Sequence, residues 1–224
     1  MRSPQRFVRF QCWILGCSLL AATPFSGSAQ ITHNLEIICQ KSYVDGAGPD
    51  SLWWWGRSIS SAGDVNGDGF DDLIVGANTV EGSDWLGKAY IFLGGSPMDT
   101  FPDVILTGTT SGYIHVSSVG DFNSDSYEDV IVGHDAGPNG VKVFYGGDPM
   151  DTMPDLILET RLGGSYADAV AYAGDVNGDT YDDCITGDYS YNGNVGRATI
   201  FFGGPAPDSL PDVILDGESV SNFG

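Results

Sequence analysis

Short apolar runs closed by glycine recur along the chain at regular distances, and no segment sustains a helical period. Leu73-Ile74-Val75-Gly76, Val130-Ile131-Val132-Gly133 and Cys184-Ile185-Thr186-Gly187 form one set. A second set is aromatic and β-branched and ends in paired glycines: Lys88 to Gly95, Val141 to Gly147, and Arg197 to Gly204. A third opens on proline: Pro102-Asp103-Val104-Ile105-Leu106, Pro154-Asp155-Leu156-Ile157-Leu158 and Pro211-Asp212-Val213-Ile214-Leu215. Such runs, bounded by Gly and Pro, predict strands. Proline at a strand entrance forfeits its N–H where the loss costs least. With Trp55-Gly56-Arg57-Ser58-Ile59-Ser60 counted ahead of the first set, each repeat holds four strands joined by short connections.

The polar positions between the first two strands of each repeat are as regular as the apolar ones. Asp64-Val65-Asn66-Gly67-Asp68-Gly69-Phe70-Asp71-Asp72 returns as Asp121-Phe122-Asn123-Ser124-Asp125-Ser126-Tyr127-Glu128-Asp129 and as Asp175-Val176-Asn177-Gly178-Asp179-Thr180-Tyr181-Asp182-Asp183. Asp, Asn, Asp and Asp stand at positions 1, 3, 5 and 9, with an aromatic at 7. Calcium takes six to eight oxygens at about 2.3–2.6 Å, and a tightly wound loop turns alternate residues inward. The expected ligands are therefore Asp64, Asn66, Asp68, the carbonyl of Phe70, and Asp72. The second loop offers Asp121, Asn123, Asp125, Tyr127 carbonyl and Asp129; the third offers Asp175, Asn177, Asp179, Tyr181 carbonyl and Asp183. The multi-carboxylate set favours calcium over the smaller magnesium. Gly67 and Gly69 allow positive φ without steric cost, whereas Ser124, Ser126 and Thr180 do not. The expected order of metal occupancy is first loop, third, second. An EF-hand starts alike but needs an acidic residue at position 12 and flanking helices. Position 12 here is Val75, Val132 and Thr186, so that reading fails.

The loops recur at spacings of 57 residues (Asp64 to Asp121) and 54 residues (Asp121 to Asp175), a blade-sized period. Radially repeated four-stranded antiparallel units are the blades of a β-propeller; sandwich domains are longer, near 100 residues. The aromatic-Gly pair, the Asp-x-Asn-x-Asp-Gly-x-x-Asp loop and Gly76-Ala77-Asn78 together resemble the FG-GAP repeat of the integrin α-subunit propeller and its bacterial relatives. The resemblance covers residues 50–224. Gly133-His134 and Gly187-Asp188 keep only the glycine of the turn, and Tyr113 and Tyr166 replace the leading aromatic-Gly. The family likeness implies an extracellular, calcium-stabilised propeller that binds other molecules and performs no chemistry. The expected fold is all-β, an incomplete propeller with repeats at about 50–107, 108–160 and 161–217 and a partial repeat at 218–224. A closed propeller has four to eight blades, so the chain is expected to be a truncated product of a longer gene. Asn34 to Ile38 resembles an outermost blade strand.

Met1 to Ala29 reads as an export signal: Arg2, Arg6 and Arg9, an apolar stretch from Cys12 to Ala22, and Gly27-Ser28-Ala29 before Gln30. The apolar stretch is shorter than the roughly 20 residues of a membrane span. Removing residues 1–29 moves the formal charge from −21 to −24, because three basic residues leave and no acids do. A field of that sign argues against nucleic acid and anionic membrane as partners. Cys39 and Cys184 remain after cleavage; export would let them pair, while the position of Cys184 in line with Leu73 and Val130 suits a small buried hydrophobe.

Loops between strands one and two share an end with those between three and four, so the acidic loops are expected to brace hairpins there. The opposite end differs most between repeats, and it is the expected site for a protein or glycan ligand. Its candidate contacts are Asp84, Trp85, His134, Tyr189 and Tyr191. Within Trp53-Trp54-Trp55, Trp55 is expected in the core between blades and Trp54 as a stacking platform. No nucleophile and base recur in a setting independent of the repeat, so the expectation is a non-catalytic, calcium-binding, secreted or cell-surface protein of adhesion type. Alternatives are the accessory propeller of a secreted enzyme, and a lectin.

Overall fold

The computed structural model describes residues 51–81, 84–107, 113–134, 140–160 and 167–218. The export signal, Asn34 to Ile38, Cys39, Tyr166 and the partial repeat from 219 onward lie outside them. The described residues form three four-stranded sheets in sequence order. Sheet 1 contains β1 (Ser51–Gly63), β2 (Asp72–Glu81), β3 (Asp84–Phe92) and β4 (Val104–Thr107). Sheet 2 contains β5 (Ile114–Gly120), β6 (Asp129–His134), β7 (Val141–Phe144) and β8 (Leu156–Ile157). Sheet 3 contains β9 (Ala169–Gly174), β10 (Asp183–Asp188), β11 (Arg197–Phe201) and β12 (Val213–Asp216). Every pairing is antiparallel between strands consecutive in sequence. These are propeller blades, as the alternation of apolar runs and turns predicts. The one helical segment among the described residues, Tyr191–Asn194, is a single turn broken by positive φ at Asn192 and Gly193.

The register repeats as faithfully as the sequence. Gly63 faces Asp72, Gly120 faces Asp129 and Gly174 faces Asp183, and each pairing slips by one residue next to the loop. The slip is a bulge, which bends the strand and strengthens its twist just where the acidic loop departs.

The sheets pack face to face. Ala62, Val65, Ile74, Ala89, Ile91 and Leu106 of the first repeat bury against Ile114, Val116, Val130, Val132 and Phe144 of the second. On its other side the second repeat presents Val119, Phe122, Ile131, Val141, Val143 and Leu158 to Ala167, Cys184 and Phe201 of the third. All of β6 and β7 is therefore buried, on both faces. Close approach of the first two sheets needs the missing side chain at Gly76, where a Cβ would stand 2.9 Å from the Ile114 Cγ2. Cys184 is an unbridged buried residue of the second core, and burial pushes its thiol well above the usual range.

Two expectations are corrected. Trp55 does not sit between blades: it is 47 % exposed and packs on its own sheet, 4.8 Å from the Tyr90 ring and 6.2 Å from that of Phe92. The stretch from Asn78 to Gly87 is not an open loop. It continues the β2–β3 ladder through Asn78–Gly87, Thr79–Leu86, Val80–Trp85 and Glu81–Asp84, giving the first blade a long hairpin with Asp84 and Trp85 in its ladder.

Phe122 is among the largest fully buried side chains. Phe122→Ala is expected to cost about 3–5 kcal/mol in denaturant unfolding, whereas Met153→Ala, at a position 70 % exposed, should stay within about 0.5 kcal/mol.

Candidate functional site

Each acidic loop leaves the bulged end of the first strand of its sheet, and the three are held by one hydrogen-bond pattern. In the first, the Asp64 carboxylate accepts from the amides of Asp68 (3.0 Å) and Gly69 (2.8 Å). Asn66 Oδ1 accepts from Asp68 N (3.1 Å), and Asp68 Oδ1 accepts from Phe70 N (3.0 Å). The second loop repeats this with Asp121 to the amides of Asp125 and Ser126, Asn123 to Asp125, and Asp125 to Tyr127. The third does so with Asp175 to Asp179 and Thr180, Asn177 to Asp179, and Asp179 to Tyr181. Local acceptance of main-chain N–H groups by Asx side chains is what winds so short a loop.

Position 9 does something different. Asp72, Asp129 and Asp183 are fully buried, and each carboxylate joins two chain segments. Asp72 Oδ2 accepts from Val65 N (2.9 Å) inside the loop and Oδ1 from Gly94 N (2.6 Å) at the end of β3. Asp129 does the same with Phe122 N and Gly146 N, and Asp183 with Val176 N and Gly203 N. The acidic loop and the β3–β4 type connection thus share one end of the blade, as strand alternation requires.

Backbone conformation agrees with the expected strain. Gly67 and Gly69 hold φ of 73° and 91°, and the equivalent positions in the other loops are also positive: Ser124 64°, Ser126 76°, Gly178 82° and Thr180 78°. An L-residue there costs roughly 1–2 kcal/mol.

Burial, reinforced by neighbouring acids, shows in the titration of Asp72, Asp129 and Glu128. Burial raises Asp72, assisted by repulsion from Asp68 and Asp64 and opposed by its two amides. Burial lifts Asp129 to about 7, with Asp125 adding to it. Glu128 is raised by burial and then by Asp182 and Asp71, because the loops of neighbouring sheets adjoin: Asp182 Oδ2 accepts from Asp121 N at 3.1 Å. Among the described residues no three carboxylate, histidine or cysteine groups converge closely enough to hold an ion. The donor chemistry nonetheless fits a hard cation. Only oxygens are offered, and a carboxylate that accepts two amides keeps further lone-pair directions.

The candidate contacts at the other end are scattered. His134 is wholly buried, so the expectation of a ligand contact is corrected. It is the last residue of β6, and both ring nitrogens are without a hydrogen-bond partner. Burial, then Lys142 and His115, lowers it to about 4. Tyr189 is 48 % exposed. Tyr191 is half-buried, with its OH accepting from Arg197 Nη2 (2.8 Å) and the guanidinium 3.8 Å from its ring centre. Arg197 also forms a two-pronged pair with Asp216. Trp54 lies in β1. Sequence reasoning missed Arg197, whose signal was its place opposite Asp216 in adjoining strands. No helix among the described residues is long and apolar enough to cross a membrane.

A family model described as FG-GAP repeat matches residues 55–92, which hold most of β1, the first acidic loop, β2 and β3. The chain is 29% identical over 166 residues to Integrin alpha-5 of Xenopus laevis, covering 66% of this chain and 16% of that protein. It is 33% identical over 162 residues to Integrin alpha-PS2 of Drosophila melanogaster (61% and 12%) and 31% identical over 155 residues to Integrin alpha-IIb of Mus musculus (61% and 15%). The chain thus spans less than a fifth of the length of these relatives.

Two outcomes follow for the ion-free protein. Asp72→Ala leaves the amides of Val65 and Gly94 without their acceptor and should cost about 2–5 kcal/mol in denaturant unfolding. Because the Asp129 carboxyl is raised in the fold, its stabilising share is present below about pH 4 and is lost as pH rises to about 7. In chelator, the melting temperature of wild type minus that of Asp129→Asn should fall between pH 4 and 7, and a constant difference would show the carboxyl ionised throughout. His134 acts with the opposite sign, losing stability as pH falls from about 6.5 to about 4, so the Asp129 comparison needs both proteins to keep it.

Proposed function

We propose, from the premise that this chain is an FG-GAP repeat protein related to the integrin α propellers, that it is a non-catalytic, adhesion-type binding module, secreted or held at the cell surface, whose acidic loops are braced by calcium. The supporting observation is the threefold recurrence of one all-oxygen loop with the same side chains turned onto the same amides. Asp64, Asn66, Asp68, the Phe70 carbonyl and Asp72 would hold the first ion, and their counterparts the second and third. A divalent cation supplies the positive charge that offsets clustered carboxylates, and its binding energy adds to folding energy. Occupancy follows backbone ease: the first loop, with glycine at both positive-φ positions, fills before the third, and the third before the second, which carries serine at both.

The partner is a protein ligand at the end opposite these loops. Exposed Tyr189 and the Tyr191–Arg197 stack lie there, and tyrosine and arginine are the residue types enriched in protein interfaces. The 21-fold negative formal charge favours a partner with basic groups.

Calorimetric and thermal titration of thoroughly chelated protein with calcium tests the ion. Calcium at about 100 times its dissociation constant should stabilise by about 2.7 kcal/mol per site. Asp68→Ala should remove one binding event while the circular dichroism of the chelated protein is unchanged. If calcium moves neither melting temperature nor heat, the bracing role is wrong. A Tyr189→Ala, Tyr191→Ala double variant that binds a protein ligand as wild type does, or glycan capture without any protein ligand, would discard the assigned partner.

A further inference from the structure

At the end away from the acidic loops, His134 touches all three repeats. It pairs with Ile114 across the β5–β6 ladder, and Ile114 belongs to the core between the first two sheets. Its ring lies against the main chain of the first sheet: a Cβ on Gly87 would come 2.8 Å from His134 Cε1 and 3.0 Å from Nδ1. The main chain of His134 ties into the third repeat. Its N–H donates to Gly140 O at 2.7 Å, and its carbonyl accepts from Ala167 N at 3.1 Å. From there the links continue outward: Asp168 N donates to Gly187 O (2.8 Å), and Asp168 Oδ2 accepts from Tyr189 N (3.2 Å).

The ring is fully buried, and neither nitrogen has a hydrogen-bond partner. Leucine or phenylalanine would fill the same place without orphaned polar atoms, so packing does not account for a histidine here. Asn78, across the β2–β3 ladder from Gly87, is buried too, but its Oδ1 makes no bond to the ring. Among the described titratable groups, Lys142 in β7 and His115 in β5 act on His134, both favouring the neutral ring, and no carboxylate does. Lys88 follows Gly87 and so projects from the other face of β3. A proton on the His134 ring therefore makes both nitrogens donors with nothing to accept, out of water and beside like charge.

We infer that His134 is a proton-operated latch: when its ring takes up a proton, the seam between the first two sheets opens at this end and the Ala167–Asp168 link to Tyr189 is released. The acidic-loop end is held separately, by Gly147 N on Val65 O and by the apolar core, and keeps its packing. An open seam returns the ring to water, where its ordinary value is 6.5, against about 4 in the closed seam. Opening is therefore favoured about tenfold for each pH unit lost through that window, up to about 300-fold, and no further below it. Tyr189 is a contact of the partner assigned above, so acid release of that partner rests on that reading. The latch itself does not, and it is measured on the chain alone.

Amide hydrogen exchange of the full chain, followed by nuclear magnetic resonance from about pH 7 to about pH 4 and corrected for intrinsic exchange rates, tests it. Protection of the Ala167 and Asp168 amides should fall by about 100-fold or more in wild type relative to His134→Phe, which keeps a flat ring and cannot titrate. The Gly147 amide should lose no more protection in wild type than in the variant. Far-ultraviolet circular dichroism at neutral pH checks that the variant folds, and His134→Leu replaces it if it does not. A second measurement needs no variant: in wild type the carbon shifts of the His134 ring should titrate together with the loss of Ala167 protection. A ring that gains its proton while protection is unchanged, or the same pH dependence in wild type and variant, would overturn the inference. So would loss of Gly147 protection in step with Ala167, because the whole fold would then be melting.

Discussion

A buried carboxylate that accepts two main-chain amides is the contact on which each blade depends. Asp72, Asp129 and Asp183 tie the amide after the loop's first aspartate to the glycine two residues past the third strand. The clasp fixes the path of the acidic loop and the departure of the next connection at once. It carries a desolvation cost, visible in the raised titration of Asp72 and Asp129, and two donated amides only partly offset it. The charge is retained where an apolar residue would bury more cheaply, because an apolar residue would leave two interior N–H groups unsatisfied.

With each loop held in this way, neighbouring sheets meet through a contact that is both apolar and polar. The residue after the first aspartate, Val65 or Phe122, turns its side chain into the core between sheets and its carbonyl toward a glycine amide of the next repeat. Loop winding and sheet stacking are therefore coupled: a change that loosened the loop would withdraw a core side chain and an inter-sheet hydrogen bond together. Acids gather at this end of the molecule because the loops that wind on carboxylates also adjoin one another. Glu128, raised by burial and by Asp182 and Asp71, reports the resulting repulsion.

The internal repeat made much of this legible. Four strands per unit, the consecutive antiparallel order, the shared end of the acidic loops and the positive φ at Ser124, Ser126 and Thr180 all follow from local pattern. His134 and Trp55 did not. His134 follows a strand-ending glycine in a stretch that differs between repeats, which suggested a surface turn. Yet Ala77, His134 and Asp188 occupy the same place after that glycine, and all three are buried; the alanine was the available signal. Trp55 aligns with the repeat aromatic, but its surroundings depend on what covers the outer face of the first sheet, which no local pattern contains. The long β2–β3 ladder was hidden for a similar reason, since polar and glycine residues from Asn78 to Gly87 resemble a loop until cross-strand pairing supplies their hydrogen bonds.

The sequence by itself determined the period, the strands and the loop chemistry, because hydrophobic alternation, glycine placement and acceptor spacing act over a few residues and repeat three times. Tertiary structure decided which of the equivalent residues are buried. Val65, Phe122 and Val176 share one local setting, yet two are enclosed and one is half in solvent, since burial depends on whether a neighbouring sheet lies across the face. It also decided that the ninth-position aspartates staple backbone segments about 20 residues apart in sequence, a role that spacing alone assigned only to an ion.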